Sequence, residues 1–360
     1  MTDNNKTRIV VGLSGGVDSS AAASLLVEQG YDVVGITLKV WPQDCVSRAE
    51  DKCCGPQAVM DARSVADKLD IPYYLVDESK EFQRDVIDYF AAEYKAGRTP
   101  NPCVMCNEKL KFGNLIDRAR KLGAEYVATG HYARLEQRDG RTVLLRGKDA
   151  RKDQTYFLFS LGQEQLAHMM FPLGELQKSE TREVARCVNL KTAEKQESQE
   201  ICFVPDKDYK KFLTTAGLVE EHRGEIVDTR GQVLGHHDGI EFYTIGQRKG
   251  LGISSPTPMY VIELDPENNR VVVGGEELLL RDEFRIDRCN WIAFDRLAEP
   301  IEASAAIRYN HPGTEATVIP GENGQATVKL REPQRAVTPG QACVFYQDDL
   351  VVGGGWIMRN

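Results

Sequence analysis

The chain has 360 residues, 41% hydrophobic and 28% charged, with a formal net charge of −9. That length allows two or three domains around sizeable cores, and the composition is that of an ordinary globular protein. No stretch approaches the ~20 apolar residues of a membrane span, and the polar start Met1-Thr2-Asp3-Asn4-Asn5-Lys6 is not a signal peptide, which points to a cytoplasmic protein with no membrane partner. Nine cysteines in such a chain read as reactive or metal-binding thiols, not as a disulfide framework. The acidic balance argues weakly against nucleic acid, but as a whole-chain sum it leaves room for local basic patches.

The apolar run Ile9-Val10-Val11-Gly12-Leu13 predicts a buried strand, and Ala21-Ala22-Ala23-Ser24-Leu25-Leu26-Val27 predicts a helix. Between them lies Ser14-Gly15-Gly16-Val17-Asp18-Ser19-Ser20. Gly15 and Gly16 permit positive φ and close backbone approach. The hydroxyls of Ser14, Ser19 and Ser20, with the free N–H groups of a helix start, face any anion placed there. A phosphate suits that spot. The G-x-x-x-x-G-K-[ST] and G-x-G-x-x-G patterns are both absent, and no lysine follows the glycines.

Residues 32–40 predict a second strand, ended by Trp41-Pro42. A helix with Val59, Ala62, Val65, Ala66 and Leu69 on one face follows, then a third strand over 71–76. A long helix aligns Phe82, Val86, Tyr89, Phe90 and Tyr94 and ends near Gly97. This alternation predicts an α/β fold, a doubly wound parallel sheet covered on both faces, with ligands beyond the carboxyl ends of its strands.

Gly97-Arg98-Thr99-Pro100-Asn101-Pro102-Cys103-Val104-Met105-Cys106-Asn107 reads as a constrained loop before a helix starting near Lys109. A helix N-terminus lowers a nearby thiol pKa, making Cys106 a candidate nucleophile. A zinc half-site is the other reading of this C-x-x-C, although no matching second pair follows. The adjacent Cys53-Cys54 reads as structural. A strand over 125–129 delivers Gly130-His131-Tyr132 either to the ligand crevice or to a structural role. Arg146, Lys148, Arg151 and Lys152 around Asp149 and Asp153-Gln154 suit the phosphates of a polyanion, or a solvated face. Helices are predicted over 156–170 and 179–188, and a strand-like segment over 197–204 holds Cys202.

From about Asp206 the alternation stops. Short extended pieces over 224–227 and 231–235 lead to His236-His237-Asp238, weak evidence for a metal. The basic loop over 243–252 suits backbone phosphates. After Arg281, alternating segments over 284–286, 305–309, 326–330 and 342–346 predict a small closed β domain. The chain therefore divides into a catalytic domain (1–205), a small central domain (206–280) and a C-terminal β-barrel-like domain (281–360).

SGGVDSS resembles the pyrophosphate loop of the N-type ATP pyrophosphatases, whose fold is adenine nucleotide alpha hydrolase-like and which split ATP between its α and β phosphates. Together with GRTPNPCVMCNEKLKFG, TGHYAR, KDQTYFL, ICF, YTIGQRKGLG and PGQACVFY, in that order, it resembles the bacterial tRNA-specific 2-thiouridylases over nearly the whole chain. The resemblance implies ATP-dependent adenylation of the C2 oxygen of the wobble uridine in tRNAs for Lys, Glu and Gln. Sulfur transfer from a cysteine persulfide charged by an upstream sulfur donor then follows. It implies that Cys202 carries the persulfide and that Cys106 resolves it through a transient Cys106–Cys202 disulfide. Gly12, Leu13, Ser14, Gly15, Gly16, Val17, Asp18, Ser19, Leu38 and Gly130 would line the ATP site, with Asp18 catalytic and Mg²⁺ accompanying the nucleotide. Asn101, Pro102 and Cys103 would face the flipped-out uridine. His131, Lys152, Asp153, Gln154, Arg308, Tyr309 and Gln341 would contact tRNA.

Two positions depart from the family pattern. Cys103 stands where some members carry an acidic residue, and Gln199-Glu200 replaces the usual Thr-Gly before Ile-Cys-Phe. The extra thiol allows an alternative in which Cys103, Cys106 and Cys202 hold an iron–sulfur cluster. A small-molecule adenylating synthetase of the same superfamily would explain the glycine loop but neither the cysteines nor the appended β domain. A non-enzymatic RNA- or metal-binding module would leave the loop unexplained.

Overall fold

The computed structural model describes residues 6–40, 55–195, 201–204, 206 and 208–359. The chain divides into two units, one of Met1–Val86, Cys103–Lys207 and Asp349–Val351, the other of Ile87–Pro102, Asp208–Asp348 and Val352–Asn360.

The first unit is built on a parallel sheet of β1 (Arg8–Gly12), β2 (Asp32–Lys39), β3 (Tyr73–Asp77), β4 (Tyr126–Ala128) and β7 (Met169–Met170), in the order β3-β2-β1-β4-β7. Ile9, Val10 and Val11 are all fully buried. Successive strand residues point to opposite faces, so the sheet is covered on both, as parallel sheets require. One face packs Ile9, Val11 and Val33 against Val17, Ala23 and Leu26 of the helix Val17–Glu28 and against Ala62 and Val65 of the helix Pro56–Leu69. The doubly wound sheet expected from the sequence is present. Strand order reverses at β1 and β4, so their carboxyl ends flank the crevice of this topology.

An antiparallel hairpin, β5 (Ala133–Arg138) and β6 (Arg141–Arg146), follows β4 and was not signalled by the sequence reading. The same unit takes in Leu350, which pairs with Leu145. Two further expectations are corrected. The predicted 156–170 helix is a short 3₁₀ turn (Thr155–Phe157), a short helix (Gln163–Ala167) and the edge strand β7, because Leu161-Gly162 interrupts the helical path. Residues 201–204 form a turn, closed by the Val204 N–H on the Ile201 carbonyl at 3.1 Å, and not a strand. The Trp41-Pro42 stop, Cys53-Cys54 and Gln199-Glu200 lie outside the described residues.

In the second unit, β8 (Gly224–Asp228), β9 (Val233–His237), β10 (Tyr260–Asp265) and β11 (Arg270–Gly274) make a sheet ordered β10-β11-β8-β9 around Ile226, Val261, Val271 and Val273. The remaining strands are β12 (Leu280–Trp291), β13 (Ile301–Ala306), β14 (Thr314–Pro320), β15 (Ala326–Arg335), β16 (Ala342–Gln347) and β17 (Leu350–Ile357). They run β12-β15-β14-β13-β16-β17 and close when β17 pairs with β12. Closure removes both sheet edges and encloses Phe284, Ile286, Val318, Val328 and Phe345. The closed β domain is thus present, with β13 ending at Ala306, before the predicted 305–309 strand does.

Candidate active site

The loop after β1 owes its shape to two glycines. Gly15 has φ +71°, and a Cβ there would sit 2.2 Å from the Ala58 carbonyl oxygen. A Cβ on Gly130, at the end of β4, would lie 2.6 Å from the Asp18 carbonyl carbon and from the Ser19 nitrogen. Within the loop, Ser19 Oγ accepts from the Ser14 N–H and lies 3.1 Å from Ser14 Oγ, while Ser20 Oγ donates to the Gly16 carbonyl at 2.7 Å. Gly12, Leu13, Val17 and Leu38 sit on or beside β1 and β2 around this turn.

Asp18, in the first helical turn, is met by Tyr132 and by Lys178, which the sequence reading did not single out. Lys178 Nζ lies 2.6 Å from Asp18 Oδ1, and the Tyr132 hydroxyl donates to the same oxygen at 3.0 Å. Lys178 opens the helix Lys178–Cys187, which also supplies Thr181, 2.9 Å from the Tyr132 hydroxyl. A second lysine, Lys195, donates to the Gly15 carbonyl at 3.1 Å and to Asp61 at 2.7 Å. Neither lysine carries a local sequence signal, since Lys178 is 160 residues and Lys195 is 180 residues from its loop partner.

The cysteine pair sits differently from expectation. The helix begins at Pro102, not near Lys109: Pro102–Met105 is α-helical, Cys106–Asn114 is π-helical, and Leu115–Lys121 resumes the α-helix. Proline at the first helical position is pre-organised for that start. Cys103 therefore occupies the first turn, while Cys106 lies beyond it at the α-to-π change. Widened π turns leave backbone carbonyls exposed to other partners, and Gln165 Nε2 donates to those of Phe112 (2.8 Å) and Glu108 (3.3 Å). Buried Glu78, just after β3, accepts from Asn114 Nδ2 (2.6 Å) and Arg118 Nη2 (3.2 Å), so the cysteine-bearing helix is tied to the carboxyl edge of the sheet. Cys202 is half-buried in its turn, beside Phe203, which meets Phe82 edge-on at 5.7 Å. Cys103, Cys106 and Cys202 are all half-buried. Among the described residues no group of three or more His, Cys, Asp or Glu side chains is arranged to hold a metal ion.

His131 meets Phe112 at a tilt (5.6 Å) and Phe171 edge-on (6.1 Å), with Nδ1 2.7 Å from Thr129 Oγ1. Burial, aided by Lys111, holds its pKa well below 6.5, so it is a neutral ring. Asp153 is committed inward: it accepts from the Gly147 N–H (3.1 Å), Thr155 Oγ1 (2.8 Å) and Arg146 (3.2 Å), while burial pushes its pKa up. Gln154 accepts from the Tyr132 N–H at 3.1 Å. Lys152 is half-buried beside them. In the second unit, Gln341 Nε2 donates to the carbonyls of Thr99 and Pro100, each at 3.1 Å, and so holds the strand of loop leading to buried Asn101 and Pro102. Arg308 and Tyr309 are exposed past the end of β13. His237 uses both ring nitrogens on backbone, Nδ1 accepting from the Gly239 N–H and Nε2 facing the Asn269 carbonyl, which answers the weak metal reading.

Residues 7–206 match the family described as tRNA methyl transferase HUP domain, 210–275 the tRNA methyl transferase PRC-barrel domain, and 281–357 the aminomethyltransferase beta-barrel domain. A protein of Clostridium perfringens named tRNA-specific 2-thiouridylase MnmA is 50% identical over 98% of both chains. Its namesake in Geobacter metallireducens is 51% identical over 99% of this chain and 98% of its own. A solved 4-thiouridine synthetase–RNA complex with bound ATP overlaps 59% of this chain and 50% of its own at 17% identity, with a TM-score of 0.35. The descriptions of the first two families speak of methyl transfer, whereas the curated relatives are named for thiolation. The chain belongs to the tRNA-specific 2-thiouridylase family.

Proposed function

We propose that the chain is a tRNA-uridine 2-sulfurtransferase that makes 2-thiouridine at tRNA position 34. The observation that carries the reading is the glycine–serine loop at the β1/β4 switch point, in a chain half identical along 98% of its length to a relative named for this activity. In this reading the uridine C2 oxygen attacks the α-phosphorus of ATP, the Pα–O bond to the β-phosphate breaks, and pyrophosphate leaves. The outer sulfur of a Cys202 persulfide then attacks C2, and AMP departs with the former carbonyl oxygen. Cys106 thiolate attacks the Cys202 sulfur, freeing 2-thiouridine and closing a disulfide that an external thiol reduces.

Gly12 to Ser19, Leu38 and Gly130 would form the ATP site. Mg²⁺ suits Asp18, because this cation takes one or two carboxylates with phosphates and water completing its shell, and it would neutralise departing charge. Asn101, Pro102 and Cys103 would receive the flipped base. Lys152, Arg308 and Tyr309 are exposed or half-buried and suit tRNA contact directly; neutral His131 suits stacking or a hydrogen bond. Asp153, Gln154 and Gln341 would act by holding the segments that touch tRNA. The Lys, Glu and Gln isoacceptors, a protein sulfur donor, a cytoplasmic setting and the division at 205/206 and 280/281 complete the proposal; the three family spans support that division.

The test is thiolation of unmodified tRNA-Glu transcript with ATP, Mg²⁺, a persulfide donor that charges Cys202 and a thiol that reduces the resulting disulfide, using iron-free protein. Equal yields of AMP and 2-thiouridine are expected. AMP formation that needs no RNA would favour a small-molecule synthetase instead.

A further inference from the structure

Lys178 is the first residue of a ten-residue helix, where the positive end of the helix dipole disfavours a cation. It is nevertheless held there. Its N–H donates to Asp149 Oδ2 at 3.0 Å, and its ammonium lies 2.6 Å from Asp18 Oδ1 with the side chain 13% exposed. The same helix braces the other contact to that carboxylate through Thr181 and Tyr132. Gly130, lacking a Cβ, lets the end of β4 close against Asp18 and Ser19. The glycine loop itself supplies no lysine for a phosphate, and a distant helix brings one to its only carboxylate.

We propose that Lys178 is the phosphate-binding lysine of this site. It pairs with Asp18 and donates to a β- or γ-phosphate oxygen of bound ATP. An ammonium has three N–H bonds, so it can hold Asp18 and a phosphate oxygen together. As the bond from the uridine oxygen to the α-phosphorus forms and the Pα–O bond breaks, the electron pair leaves on pyrophosphate, and Lys178 stabilises it while remaining protonated. This inference rests on the ATP chemistry proposed above.

The test titrates full-length wild-type, Lys178→Gln and Lys178→Arg proteins separately with inorganic pyrophosphate and with AMP. Lys178→Gln is expected to weaken pyrophosphate about tenfold or more, the value of a charge-assisted hydrogen bond, and AMP by no more than about twofold. Lys178→Arg should recover most of the pyrophosphate affinity. To separate phosphate contact from support of Asp18, the Asp18→Asn and Asp18→Asn/Lys178→Gln proteins are compared in the same way. A further loss for pyrophosphate in the double variant supports the assignment. Equal losses for pyrophosphate and AMP, or no loss for pyrophosphate, would overturn it while leaving the ATP reading standing. Wild-type protein that binds neither ATP nor pyrophosphate would overturn both.

Discussion

The Tyr132 hydroxyl stands 3.0 Å from Asp18 Oδ1, joining the segment after β4 to the first turn of the helix after β1. The two strands flank the reversal of the sheet, so this hydrogen bond links the segments that leave them. Tyr132→Phe keeps the ring and removes the bridge. The expected result is a loss of about 1–2 kcal/mol of stability together with slower AMP formation. Chemical denaturation and an AMP-release assay measure the two effects, and an unchanged AMP rate would make the bond purely structural.

Asp18→Ala should reduce AMP formation by about a hundredfold or more, since it removes the loop's only carboxylate from the charge-stabilising set. Affinity for tRNA should stay nearly intact. Retained AMP formation would remove Asp18 from the catalytic role.

Gly130→Ala places a Cβ 2.6 Å from backbone atoms of Asp18 and Ser19, where nothing flexible can yield. A lower melting temperature and loss of ATP binding are both expected. Normal ATP binding in a folded Gly130→Ala protein would show that this close approach does not shape the nucleotide pocket.

Cys202→Ser should still release AMP from ATP and tRNA but yield no 2-thiouridine. Nucleoside analysis of the product tRNA decides it, and persistent 2-thiouridine would refute the persulfide role.

The lowered pKa of half-buried His131 sets a direction for pH. Its folded pKa lies below 6.5, so below that pH the unfolded chain binds a proton that the folded chain refuses. Its contribution to stability is full above 6.5 and is lost as pH falls toward the folded value. His131→Gln should therefore show a shallower fall in melting temperature between pH 7 and pH 5.5. His237 and His311 are also shifted down by burial and titrate in the same sense, so the comparison is of slopes and not of absolute values. Identical slopes would mean that His131 is not the group being titrated.

The sequence by itself determined the parts whose signals are local. A hydrophobic run, paired glycines and an alanine-rich helix follow one another around Ser14–Ser20, so the strand–turn–helix is legible from local chemistry alone. The alternation of strand and helix fixed the doubly wound sheet for the same reason, and Cys106 and Cys202 stood out through the motifs around them. Tertiary structure decided what depends on distant partners. Asp18 acquires Lys178 across 160 residues, and the 99–100 backbone acquires Gln341 across more than 240. Asp153 looked like a surface acid among cations, yet it turns inward because the Gly147 N–H and the Thr155 hydroxyl complete its hydrogen bonds. The helix start at Pro102 also escaped the reading, because proline's punctuation of a loop and its fitness for a first helical turn look alike in one dimension. Side-chain chemistry is written residue by residue, but the partner that gives an ionised group its task is chosen by the fold.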